Sequence, residues 1–371
     1  MDWPPPPDPD RPPLPYMPGL VIQITEHSPP PPFGGGGWYT SSRHLYVPDG
    51  LIRRTLPTQQ VLMYPPQDGE WPSDTAPRSG VLTITKMMSV GEARGAQIVV
   101  CNILISGETK PYTVVAKIYD PLYYPYRGED VDVVWRADMD YSREAAAYRY
   151  LQTTKDLQKP GFAPEYYGSW TFDLALTRQG KEHKRPVRLL LIECITGSSI
   201  LDLYVKNGRY SDDSPDGFHY DEAYRLDVLA EMLEGLMKQL HTGLDQHDFA
   251  PRNIMLVPSP RETMSPLSVP RVVLVDYNNA HVFKHTKYER HPHEERSLPT
   301  NPAEFLWSGP PWEFQQWVPA KWYSKDWKSY QEWLLTRFGG KHADRFAPIE
   351  KTLDDSNDGY DVADETGGVS Y

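Results

Sequence analysis

The chain has 371 residues, of which 39% are hydrophobic and 24% charged, with a formal net charge of −12. That length suits one two-part domain with tails, and the acidic balance argues against nucleic acid and anionic membrane surfaces as partners. No apolar run reaches the ~20 residues of a membrane span, the Pro-rich start does not read as a secretory leader, and Cys101 and Cys194 are too few for a disulfide framework; a cytoplasmic or otherwise intracellular monomer is expected, with the nucleus left open.

Half of the 38 prolines precede residue 81. Residues 1–37, with Pro4 to Pro7, Pro29 to Pro32 and Gly34 to Gly37, read as a disordered Pro/Gly-rich arm, since such composition cannot bury a core. Within it, Arg11-Pro12-Pro13-Leu14-Pro15 suits the aromatic-lined groove of a polyproline-binding partner. Residues 38–80 read as an irregular extension with scattered apolar groups such as Trp38, Tyr39, Val61 and Leu62. Residues 81–192 predict an antiparallel sheet with one helix. In it, the strand Tyr112-Thr113-Val114-Val115-Ala116-Lys117-Ile118-Tyr119 turns Lys117 away from its apolar run. An Ala-rich helix starts near Tyr141, with Ser142 as N-cap and Glu144 in its first turn. A buried strand then leads into a short connector, 193–197.

Residues 198–353 predict a mostly helical second part. Leu226, Leu229, Leu233, Leu236 and Leu240 recur at 3-4-3-4 spacing, an amphipathic helix over 223–241 with Gly243 closing it. Then comes Gln246-His247-Asp248-Phe249-Ala250-Pro251-Arg252-Asn253, an Asp and an Asn five residues apart between that helix and the apolar strand Ile254-Met255-Leu256-Val257. Asp276 follows at the end of a further strand. Two carboxylates and an amide at strand and helix ends suit phosphoryl transfer: one carboxylate orients an attacking hydroxyl, while the others hold a metal on phosphates. His281, His285, His291 and His293 lack companion cysteines and are interrupted by Pro292, which argues against zinc. The Trp-rich remainder reads as core, and residues 354–371 as an acidic disordered tail.

These segments, in this order, resemble the protein kinase superfamily, most closely its divergent fungal kinase-like members, with a similarity to aminoglycoside and choline phosphotransferases. The resemblance implies an α+β, bilobal protein-kinase-like fold: a small antiparallel β-sheet lobe with one helix, a mostly helical large lobe, and ATP with magnesium (Mg2+) between them. By it, Lys117, paired with Glu144, grips phosphate; the Glu193 carbonyl and the Ile195 amide meet the adenine edge; Asp248 orients the hydroxyl, with Arg252 beside it; and Asn253 and Asp276 hold the metal. The glycine-rich turn is reduced to Gly91 and Gly95, with Glu92, Ala93 and Arg94 between them. Gln246 stands where the family has a His, and Asn278 where it has a Gly after the metal Asp; Asn tolerates positive φ better than most residues, which keeps the turn possible there. The function implied is transfer of the γ-phosphoryl group of Mg-ATP to a hydroxyl of an unidentified protein or small-molecule acceptor. The alternative is a pseudokinase, a module that binds nucleotide or a partner without transfer.

Overall fold

The computed structural model describes residues 7–34, 37–43, 45–52, 54–71, 76–92, 94–125, 132–154, 161–206, 214–262, 267–323, 326–340 and 343–353. The tail expected over 354–371 lies outside these residues. Six strands, β1 (Val21–Glu26), β2 (Ser79–Ser89), β3 (Gln97–Ile105), β4 (Tyr112–Tyr119), β5 (Tyr166–Arg178) and β6 (Lys181–Glu193), close into an antiparallel barrel in the order β1-β2-β3-β4-β6-β5.

This barrel corrects the expected architecture: the fold is not a bilobal one with an open small sheet and a helical large lobe. Closure comes from the arm that composition marks as disordered. Val21-Ile22-Gln23-Ile24 alternates in and out of the barrel, with Ile22 and Ile24 only 5% and 1% exposed. Their burial contributes about 1.5–3 kcal/mol each. The strand bridges β2 (Ile24 opposite Gly80) and β5 (Thr25 opposite Thr171), so both sheet edges are paired. On its other side Gly80 faces β3, where a Cβ would sit 3.0 Å from the Leu104 carbonyl. The polyproline run is likewise engaged within the chain. Tyr123 donates to the carbonyls of Pro12 (3.1 Å) and Pro13 (3.0 Å), and the Arg11 guanidinium lies over its ring. Deeper in, Tyr16 and Arg185 both bind Asp120, all three buried.

The rest is not mostly helical either. The described helices are α1 (Asp49–Ile52), α2 (Pro57–Met63), α3 (Val133–Thr153), α4 (Glu222–His241), α5 (Pro302–Phe305) and α6 (Trp327–Phe338). Among the described residues after 197 only α4 and α6 exceed one turn; around them run 3-10 turns and five short strands. These are β7 (Ser198–Ser199), β9 (Ile254–Val257) and β10 (Arg271–Leu274) in one sheet, and β8 (Leu244–Asp245) paired with β11 (His281–Val282). The prolines and tryptophans there favour turns over continuous helix. One connected apolar core joins the barrel, α3, α4 and α6, where a two-lobed molecule would have two.

α4 matches the leucine stripe, with Leu229, Leu233, Leu236 and Leu240 buried and Gly243 at φ +86° just past its end. α3 does not start near Ser142. Asp132 caps it, accepting from the amides of Val134 and Trp135 at 2.9 Å, which leaves Ser142 mid-helix and bonded to the Met139 carbonyl.

Candidate active site

Lys117 is 5% exposed, because residues 114–119 of β4 are covered on both faces. It therefore does not project into solvent on a free strand face. Its Nζ lies 2.6 Å from Glu144 Oε2 and 2.7 Å from Asp276 Oδ1. Burial alone would lower the Lys117 pKa, but the two facing carboxylates outweigh it and hold the ammonium above its usual value. α3 brings Glu144 to this point fully buried, and Tyr119 donates to the same Oε2 at 2.5 Å. Tyr119 is two residues from Lys117, so strand alternation places both on one face; that spacing was the signal for it.

Asp276 follows β10 in left-handed backbone, φ +65°. Asn278, two residues on, does not adopt that conformation. His247, just before Asp248, is also left-handed at φ +58°. Asp and His tolerate this region better than most residues, and such outliers cluster where chemistry is held. Gln246 ties the two loops together. Its Nε2 donates to the Asp276 carbonyl at 2.6 Å, and its Oε1 accepts from the Asp248 amide at 2.8 Å. A second tie joins the Val275 amide to the Asn253 carbonyl at 2.8 Å.

The Asp248 carboxylate is fixed from two sides. Arg252 Nη2 donates to Oδ1, and Asn253 Nδ2 donates to Oδ2 at 2.8 Å. The Asn253 amide thus spends its nitrogen on Asp248 and keeps Oδ1 for another ligand. Asp276 spends Oδ1 on Lys117; among the described residues Oδ2 takes no hydrogen bond. Two hard oxygen atoms on adjoining loops, one of them anionic, fit magnesium, which takes one or two protein oxygens and completes its shell with phosphate and water. Among the described residues no three His, Cys, Asp or Glu side chains could hold a metal ion. The C-terminal histidines instead stack on one another and on aromatic rings: His291 on His293 at 4.6 Å, His281 on Trp38 at 4.9 Å.

The connector 193–197 runs from the end of β6 back across β9. At Gly197 a Cβ would lie 2.3 Å from the Leu256 carbonyl, so only glycine permits this approach. Two hydrogen bonds from Arg271, at 2.6 and 2.9 Å, hold the Glu193 carboxylate and depress its pKa. Among the described residues nothing bonds the Ile195 amide. The turn between β2 and β3 differs from expectation. The Gly91 amide donates to Gln97 Oε1 at 2.8 Å, and Gln97 Nε2 returns to the Gly91 carbonyl at 3.0 Å. Gly91 is therefore not free to meet phosphate, because the buried Gln97 side chain takes its hydrogen bonds. At Gly95 a Cβ would meet open space.

Comparison with known proteins returns no matching family model and no matching curated protein. No helix among the described residues is long and apolar enough to cross a membrane.

Proposed function

We propose that this protein is an ATP-dependent phosphotransferase acting on a hydroxyl acceptor. One observation carries the reading: Lys117 Nζ sits within 2.7 Å of both Glu144 and Asp276, while hydrogen bonds tie the Asp276 loop to the Asp248–Asn253 loop. Phosphoryl transfer is mostly positioning and charge stabilisation, and these parts supply a fixed cation, a held carboxylate and two oxygen donors. The connector lies three residues along β6 from Leu190, the partner of Lys117, roughly 10 Å away at about 3.3 Å per residue. A nucleotide bridges that span with its base at the Ile195 amide and its phosphates at Lys117. Bound there, Mg-ATP supplies the transferable phosphoryl group. Lys117 neutralises phosphate charge, Asn253 and Asp276 offer the metal their oxygens, and Asp248 orients the acceptor hydroxyl and takes its proton.

A second reading, nucleotide binding without transfer, is favoured by the Gly91 amide being taken up by Gln97. The pair of variants Lys117→Ala and Asp248→Asn separates the two. On the transfer reading, Lys117→Ala weakens Mg-ATP binding, whereas Asp248→Asn binds Mg-ATP like the parent but loses at least ~100-fold in ATP turnover, the usual scale for a positioned proton acceptor. Equal turnover by Asp248→Asn and parent would remove Asp248 from the chemistry.

A further inference from the structure

The residues just after the glycine run reach three parts of the site at once. Tyr39, 6% exposed, donates to the Ala280 carbonyl at 2.7 Å and accepts from the Val282 amide at 3.4 Å. It also forms a β-bridge with Thr286. Trp38 accepts from the Lys287 amide at 3.0 Å, and its ring stacks on His281 at 4.9 Å and meets His247 at 6.3 Å. Ala280 to Lys287 begins three residues after Tyr277, and His281–Val282 is β11, paired with β8 just ahead of Gln246.

The same segment grips α3 beside Glu144. Arg143 donates through Nε to the Phe33 carbonyl at 2.8 Å, and its guanidinium lies 5.5 Å over the Tyr39 ring. Gly34, at φ +83°, lets the chain lie close to α3, since a Cβ there would be 2.6 Å from Met139 Sδ. Burial pushes the Tyr39 hydroxyl up to about 12, so it stays a donor across the working pH range.

We infer that Tyr39, with Trp38, is a positioning residue: it straps the segment after Asp276 to α3 and to the strand before Asp248, holding Lys117, Glu144 and Asp276 in one arrangement. Its effect on turnover rests on the phosphotransferase reading; its effect on the segment does not.

The test is Tyr39→Phe, which keeps the ring over Arg143 and removes only the hydroxyl, beside Tyr46→Phe as a control at an exposed tyrosine. Hydrogen exchange of residues 277–286 should quicken by about tenfold in Tyr39→Phe, as expected on losing the two hydrogen bonds of one group. The β2 to β6 amides and the Tyr46→Phe protein should be unchanged. With Mg-ATP, turnover should fall by a larger factor than the KM for ATP rises, because the connector and the Lys117–Glu144 pair keep their own contacts. Unchanged exchange at 277–286 overturns the strap whatever the nucleotide result. Faster exchange with unchanged turnover in a protein that does turn over ATP overturns the positioning role. A parent that neither binds nor turns over ATP refutes the phosphotransferase reading instead, and with it the effect on turnover; the exchange data still decide the strap.

Discussion

Lys117→Met should be costly for folding, and the cost should be recoverable. The ammonium is the partner of a carboxylate with no exposure, Glu144, and of the part-exposed Asp276. Deleting one member of a buried pair leaves an uncompensated charge, a loss of about 3–5 kcal/mol. The Tyr119 hydroxyl still donates to Glu144, which favours the lower half of that range. At roughly 2 °C per kcal/mol for a chain of this length, the melting temperature should drop by about 6–8 °C near neutral pH. Burial already raises the Glu144 pKa, with Lys117 opposing it. Without Lys117 it rises further, so Glu144 is protonated more readily in the folded than in the unfolded state. The Lys117→Met deficit should therefore shrink as pH falls through that raised value. Adding Glu144→Gln should return most of the loss, because the charge that lacked a partner is gone. The assay is a double-mutant cycle by thermal and denaturant unfolding, with a coupling energy of about 2–3 kcal/mol expected. Additive losses, or a deficit that does not vary with pH, would refute the buried-pair reasoning.

Three further outcomes follow from particular contacts. Burial holds His27 and His291 down to about 4 and His281 to about 3. Each is neutral when folded and takes up a proton near 6.5 when unfolded, so stability should be full above pH 6.5 and fall by roughly 1–3 kcal/mol per histidine toward pH 4. Asp138 and Asp140, raised to about 6 by burial, have the opposite sign and offset part of this loss; denaturant unfolding from pH 7.5 to 4.5 checks the net decline. Arg185→Met strands the buried Asp120 at the junction of arm and barrel, which should cost about 3 kcal/mol in chemical denaturation, with Arg185→Met/Asp120→Leu recovering most of it. Gln246→Leu unpairs the Asp248 amide and the Asp276 carbonyl together. That should cost about 1–3 kcal/mol in stability and slow ATP turnover; unaltered turnover would show that the two loops keep their places without this link.

The grouping of the polar site residues was more legible in the sequence than the fold. Lys117, Glu144, Asp248, Asn253 and Asp276 stand out because motif spacing fixes each relative to a strand or helix end. The structure brings these five together through direct contacts and the two loop ties. Barrel closure was hidden because six residues of alternating strand sit inside a Pro/Gly-rich stretch whose average composition reads as disorder. The start of α3 was missed for a related reason: an Asp cap reads like an ordinary acidic loop until its side chain is seen accepting two amides. Tyr39 carries no motif, and its importance lies in contacts more than 200 positions away in the chain. Gln246 shows the converse: a residue outside the expected site set joins the two loops through one amide side chain, accepting at one atom and donating at the other.

Nucleotide binding tests the central claim most directly. Mg-ATP that binds only the folded protein stabilises it by mass action, about 2.7 kcal/mol at a hundredfold excess over Kd. Thermal unfolding at rising Mg-ATP should show a concentration-dependent rise in melting temperature for the parent and for Asp248→Asn, diminished in Lys117→Ala. No rise in the parent at millimolar Mg-ATP would contradict the account.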